Sequence, residues 1–239
     1  MDRMNASSDP PAANDDDRAA LRRTVYGLLI AVSIGHLVGR VLAVNAVDRI
    51  GVERLLADQG RRDWQRQRPF LSANDRSRWC TVRSLVEHGT YAIDEIVAEP
   101  NWDTIDMVKH DGRLYSSKPP LLATLVAGPY WVVHRVTGAT LGTHPYAIGR
   151  GLLLLVNVVP WALYLVVLSR MVERYGTTDW GRIFVMAAAA SATLLTTFGT
   201  VLNNHLVAAV SVCLALWAAT RIVYEGAQAS GWFALAGSA

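Results

Sequence analysis

Three short clusters in the sequence carry side chains that could do chemistry. The first is Asn74-Asp75-Arg76-Ser77-Arg78, where one carboxylate stands among two arginines. A carboxylate ionised near a membrane surface is what a general base needs to take a proton from an acceptor hydroxyl. The second is Tyr115-Ser116-Ser117-Lys118-Pro119-Pro120. Its ammonium and three hydroxyls could hold a phosphate. Pro119 suits the first turn of a helix, although two prolines remove two of the backbone donors with which helix N-termini bind anions. The third is Asn203-Asn204-His205, a set of hydrogen-bonding groups for a sugar or a phosphate.

Each cluster also has a plainer explanation. Asn74 or Asp75 can be an N-cap, and a helix N-terminus keeps a carboxylate ionised. Lys118 can snorkel at an interface. A polar tip is what any membrane hairpin needs. His88, His110, His134 and His144 show no ligand spacing. Cys80 lies in a polar region and Cys213 inside an apolar run, so neither a disulfide nor a metal site is expected from them.

The elements that must position these clusters follow from composition and hydropathy. The chain has 239 residues, 51% hydrophobic and 18% charged. That charged share lies below the roughly 25% of soluble domains. The net charge is only +3, and the basic residues form no compact patch with interleaved aromatics, which argues against a nucleic-acid partner. Residues 1–21 are polar and read as a disordered cytoplasmic tail. Residues 22–46 read as a first transmembrane helix, longer than a signal-peptide core although Val44-Asn45-Ala46 resembles a cleavage site. Arg40 lies near its far end, where it can snorkel or face the bundle.

Residues 47–145 read as a long extracytoplasmic loop. Within it, Trp79, Val82 and Val86 fall at helical spacing over 75–88, with Gly89 as the stop. Asp111-Gly112 between Met107-Val108 and Leu114-Tyr115 predicts a hairpin with a type I′ turn. Residues 119–133 are uncharged but number only 15, short of the ~20 a span needs. They read as a helix lying in the interface, with Tyr130 and Trp131 at headgroup level. Leu121, Leu122 and Leu125 beside it would form an apolar groove. Residues 146–225 hold three further spans. Residues 183–220 are 38 uncharged residues, about two spans, so they predict a helical hairpin tipped by Asn203-Asn204-His205. Residues 226–239 read as the start of a truncated fifth span.

Arginine placement chooses the topology. With four spans, Arg170, Arg174, Arg182 and Arg221 share the cytoplasmic side with Arg22 and Arg23. The loop and the Asn203–His205 tip then lie together on the outer side. The competing topology, in which 119–133 spans, inverts everything after residue 133. The expectation is an all-α polytopic protein of the cytoplasmic membrane, with its N-terminus in the cytoplasm and a small hairpin in its outer loop.

These residues, in this order, resemble the GT-C class of membrane glycosyltransferases, which includes protein O-mannosyltransferases and aminoarabinose transferases. Members have an N-terminal span and then an outer loop opening on an acidic motif, here Asn74-Asp75-Arg76-Ser77-Arg78-Trp79, continued by Leu85-Val86-Glu87-His88-Gly89-Thr90-Tyr91. A Lys-Pro-Pro-Leu motif after an aromatic is met by Tyr115 and Lys118-Pro119-Pro120-Leu121, and Arg150 opens the next span. The resemblance covers residues 22–225 and only the front part of such enzymes. It implies a hexosyl or pentosyl transferase moving a sugar from a polyprenyl-phosphate donor to a lipid, glycan or protein acceptor. Asp75 would be the catalytic base, and Lys118 would contact the donor phosphate. Arg76, Arg78, Tyr115, Ser117, Asn203, Asn204 and His205 complete the candidate substrate-binding set. The second acidic position of the motif is Arg76 here, and the family's acidic group after the third span is absent. A divalent metal is therefore left open, with no ligands assigned. The alternatives are a non-enzymatic membrane protein, as a transporter piece or structural subunit, and a truncated, inactive transferase copy.

Overall fold

A computed structural model describes residues 15–43, 57–60 and 70–238. The chain is an all-α polytopic membrane protein, with four helices long and apolar enough to cross a bilayer. The first, α1 (Asp15–Ala43), has 29 residues, about 44 Å at 1.5 Å per residue and ample for a ~30 Å hydrocarbon core. It begins inside the stretch expected to be disordered. Asp15, Asp16 and Asp17 form its first turn, where carboxylates complement the helix dipole. Residues 1–14 and 44–46 lie outside the described residues.

The segment between the first two spans contains α2 (Ala73–Glu87), α3 (Asp94–Val97), β1 (Met107–His110), β2 (Arg113–Ser116) and α4 (Pro120–Thr137). The N-cap of α2 is Ser72, whose hydroxyl accepts the Asp75 N–H at 3.1 Å. Neither expected cap residue fills that place, because the helix starts two residues earlier. Gly89, at φ +69°, follows its end as expected. β1 and β2 pair antiparallel, with Met107 opposite Ser116. Asp111 and Gly112, at φ +47° and +80°, make the expected turn with both central residues in the left-handed region.

α4 packs along α2 through Leu122, Ala123, Val126 and Tyr130, all buried. Tyr130 is therefore a core residue, not a headgroup-level aromatic; its hydroxyl bonds Glu87 at 2.5 Å. The three leucines expected beside a groove divide. Leu122 is buried, while Leu121 and Leu125 are 70% and 62% exposed, as is Trp131 in part.

The second span runs from α5 (Pro145–Leu153) through one π-helical turn (Leu154–Val158) into α6 (Val159–Tyr175). Pro160 is the second residue after the widened turn. A proline cannot donate and crowds the carbonyl four residues back, and the π turn absorbs both defects without breaking the span. α7 (Asp179–Ser191), the short α8 (Leu195–Phe198) and α9 (Asn204–Glu225) form the expected hairpin. α10 (Ser230–Ser238) turns back from the left-handed Gly226 and packs on α9.

Within the bundle a few polar contacts tie the described helices together. The Trp161 indole donates to Ser33 at 3.0 Å, and Ser33 donates to the Ala190 carbonyl at 2.6 Å, tying α6, α1 and α7. Such bonds hold helices together where lipid removes the hydrophobic drive. Gly199 lets the hairpin tip touch α1. A Cβ there would stand 2.7 Å from Leu37.

Candidate functional site

α2 is unusual for a polar helix. Ten consecutive residues, Asp75 through Ser84, are buried, so it is covered on all sides and not amphipathic. Phe70 stacks on Trp79 at 4.8 Å and meets Trp102 edge-on, forming an aromatic floor beneath its first turn. Asp75 lies there, 3% exposed.

The Asp75 carboxylate accepts the Leu202 N–H at 2.8 Å through Oδ1 and the Leu71 N–H at 3.4 Å through Oδ2. Burial pushes its carboxyl up to about 7, against the lowering effect of these two N–H groups, the Trp79 indole and the Arg78 charge. The helix N-terminus was expected to keep this carboxylate ionised. Desolvation outweighs the dipole because the group is almost wholly buried.

Arg78, one turn on, donates to the Asn74 side chain and, at 3.2 Å, to Asn204 Oδ1. Burial lowers its pKa against the raising influence of Asp75 and Asp106. Ser77 donates to the Asp106 carbonyl at 2.5 Å, and its hydroxyl lies 2.6 Å from that of Ser116. Lys118 is not a lone cation: its Nζ pairs with Asp106 at 3.2 Å. Thus α2, the hairpin and the start of α9 converge on one polar centre.

The expected residues divide there. Arg78 and Asn204 are joined directly, Asp75 joins them through the Arg78 charge and its bond to Leu202, and Lys118 is tied in through Asp106 and Ser77. Ser117 is exposed. Tyr115 pairs in the hairpin with Val108. Arg76 donates to the Asp103 carbonyl at 2.7 Å. Asn203 is the N-cap of α9, with its side chain accepting the His205 N–H at 3.0 Å and donating to the Phe198 carbonyl at 3.0 Å. The His205 ring lies on Phe198, 4.5 Å between centroids, and stays exposed.

Sequence reasoning missed Asp106, the partner of Lys118, which sits in a polar loop without distinguishing neighbours. It also missed that Asn157, fully buried in the π turn, donates to the carbonyls of Gly199 and Val201, both at 2.9 Å. Its signal was present: a lone amide in an otherwise apolar span.

The groups facing Asp75 are N–H donors and a guanidinium, which repel a cation. Among the described residues no group of three His, Cys, Asp or Glu could hold a metal ion. The residues around Asp75 do not fit a divalent metal.

The opposite end of the bundle gathers arginine. Arg22 bonds Glu173 at 2.8 Å and Asp179 at 2.6 Å, Arg182 lies 3.5 Å from Asp179, and Arg174 and Arg221 both pair with Glu225. The loop after the first span and the hairpin tip therefore share one end, and the arginines share the other. The inverted topology would part Asp75 from Leu202 by a bilayer, and their 2.8 Å bond excludes it.

Comparison with protein-family models, with curated proteins and with solved structures gives no match.

Proposed function

We propose that the protein is a GT-C-like glycosyltransferase of the cytoplasmic membrane, with its N-terminus in the cytoplasm, that takes a sugar from a polyprenyl-phosphate donor. The observation that carries this reading is the placing of Asp75. Its carboxyl, at about 7, is poised to exchange a proton near neutral pH, and it stands in one polar centre with Arg78 and Asn204.

In the reaction the acceptor hydroxyl gives its proton to Asp75 as its oxygen bonds the anomeric carbon. The bond from that carbon to the phosphate oxygen breaks, and the phosphate leaves with the electron pair. The configuration inverts. Lys118, released from Asp106 toward the phosphate, would balance the developing charge. Because Asp75 is buried, the acceptor reaches it only when the Leu202–Asn204 segment moves.

The experiment is transfer from a radiolabelled polyprenyl-phosphate sugar by membranes carrying the full chain. Asp75→Asn should lower transfer by about 10²-fold or more, the usual range for losing a general base. Unchanged transfer refutes the reading. The runner-up, a structural role, draws on the internal pairing of Asp75 and Lys118. It predicts that Asp75→Asn changes stability while no donor binds even the parent chain.

A further inference from the structure

The arginine-bearing end holds a cavity of about 630 Å³ between α1, α6, α9 and α10. It lies at the far end of the bundle from Asp75 and is independent of the transferase reading. Four arginines line it, Arg23, Arg170, Arg174 and Arg221, against one carboxylate, Glu173. Glu173 is already engaged by Arg22 at 2.8 Å and by the Tyr26 hydroxyl at 2.8 Å. Arg174 and Arg221 share the single carboxylate of Glu225. No carboxylate among the described residues pairs with Arg23 or Arg170. Like charges brought together without partners repel, so an anion from outside would relieve this cluster.

The other wall is aromatic. Trp217 and Trp232 meet edge to face at 5.2 Å, and the Arg221 guanidinium lies 5.2 Å from the Trp232 ring centre. Indoles gather at the level of lipid headgroups. The same helices expose Leu28, Leu216 and Phe233, the lipid-facing surface on which acyl chains would lie. Arginine binds phosphate oxygens in a bidentate fork, and the cavity is within the range that holds small ligands.

We propose that this cavity binds the phosphate headgroup of an anionic membrane lipid, supplied by the leaflet at the arginine-bearing end. Inorganic phosphate offers the same charge without the acyl chains, so the test separates the two.

The full chain, purified in detergent and delipidated, would be titrated with phosphatidylglycerol, with phosphatidylcholine and with inorganic phosphate. Native mass spectrometry reads lipid retention, and a melting curve reads stabilisation. Phosphatidylglycerol should be retained over phosphatidylcholine. Replacing both Arg23 and Arg170 by Gln should weaken its retention about 30-fold, taking roughly one basic residue's surface contribution for each. Those two residues break no ion pair on removal, so the melting point without lipid should hold. The double Arg→Lys variant keeps the charge and should keep the preference, which separates lost charge from lost fold. Equal retention of both lipids overturns the proposal, as does an unchanged double Gln variant. If inorganic phosphate stabilises the chain in the same arginine-dependent way and phosphatidylglycerol adds nothing, the occupant is a free anion and the lipid assignment falls.

Discussion

The Asp75 carboxylate and the Leu202 backbone N–H meet at 2.8 Å across 127 positions of sequence. One belongs to the first turn of the buried helix α2, the other to the last residues before a membrane span. The bond makes the proton state of one side chain and the position of the hairpin tip a single property. Two backbone donors favour the charged carboxylate, burial favours the neutral acid, and burial wins.

The pH dependence of stability follows with a definite sign. In the unfolded chain an aspartate titrates near ~3.9, while folded Asp75 titrates at about 7. Between those values the folded chain holds a proton that the unfolded chain has released. The stabilisation is complete below the unfolded pKa and is lost as pH rises through about 7. Relative to Asp75→Asn, which cannot titrate, the parent chain should lose on the order of 4 kcal/mol of stability between pH 4 and pH 8. Melting curves of both proteins in detergent across that range check it. A parent chain that gains stability on the variant as pH rises would show that hydrogen bonding, not burial, sets the carboxyl.

Much of this arrangement was legible in the sequence because the membrane imposes coarse rules. The 38 uncharged residues from 183 to 220 had to fold back on themselves, and the arginines flanking them had to share a side, so the Asn203–His205 tip had to lie with the loop that holds Asp75. The Asp111-Gly112 turn was equally plain, since few dipeptides adopt two positive φ values. What the sequence hid was burial. Nothing in Asn74-Asp75-Arg76-Ser77-Arg78 says that a helix so polar is enclosed on every side, because the enclosing groups come from Phe70, Trp102, the hairpin and Leu202. The same enclosure drew Tyr130 from the interface into the core. The pairing of Lys118 with Asp106 was hidden because it depends on the hairpin register, not on spacing.

Arg83 is the residue that closes the enclosure. Its side chain, 6% exposed, bonds Glu87 at 2.9 Å and grips both oxygens of Glu99 at 2.6 and 2.7 Å. Its guanidinium stands 4.8 Å from the Trp102 ring centre. Glu87 in turn receives the Tyr130 hydroxyl from α4. Removing the cation leaves Glu87, 11% exposed, buried without a counter-charge. Arg83→Ala should cost roughly 3 kcal/mol, the low end for breaking a buried pair because Glu99 is 41% exposed. Thermal unfolding in detergent reads the loss. Adding Glu87→Gln should recover part of it, and a double variant no more stable than Arg83→Ala alone would refute the stranded-carboxylate account.

Asn157 lies on a span, yet it bears on Asp75. Its amide nitrogen donates to the carbonyls of Gly199 and Val201, both at 2.9 Å, and Val201 immediately precedes the residue whose N–H Asp75 accepts. Asn157→Ala strands one buried and one part-buried carbonyl, at about 1–3 kcal/mol of stability. It also frees the backbone that aims the Leu202 N–H. That bond lowers the Asp75 carboxyl, so loosening it should move the carboxyl further up. The variant should therefore melt lower, and its loss of stability with rising pH should extend above about 7. In the Asp75→Asn background the lower melting point should remain and the extended pH dependence should vanish. An Asn157→Ala chain that melts lower with its pH dependence unmoved would show that the π turn supports the bundle alone. The hairpin tip would then be held at Asp75 by its own capping through Asn203.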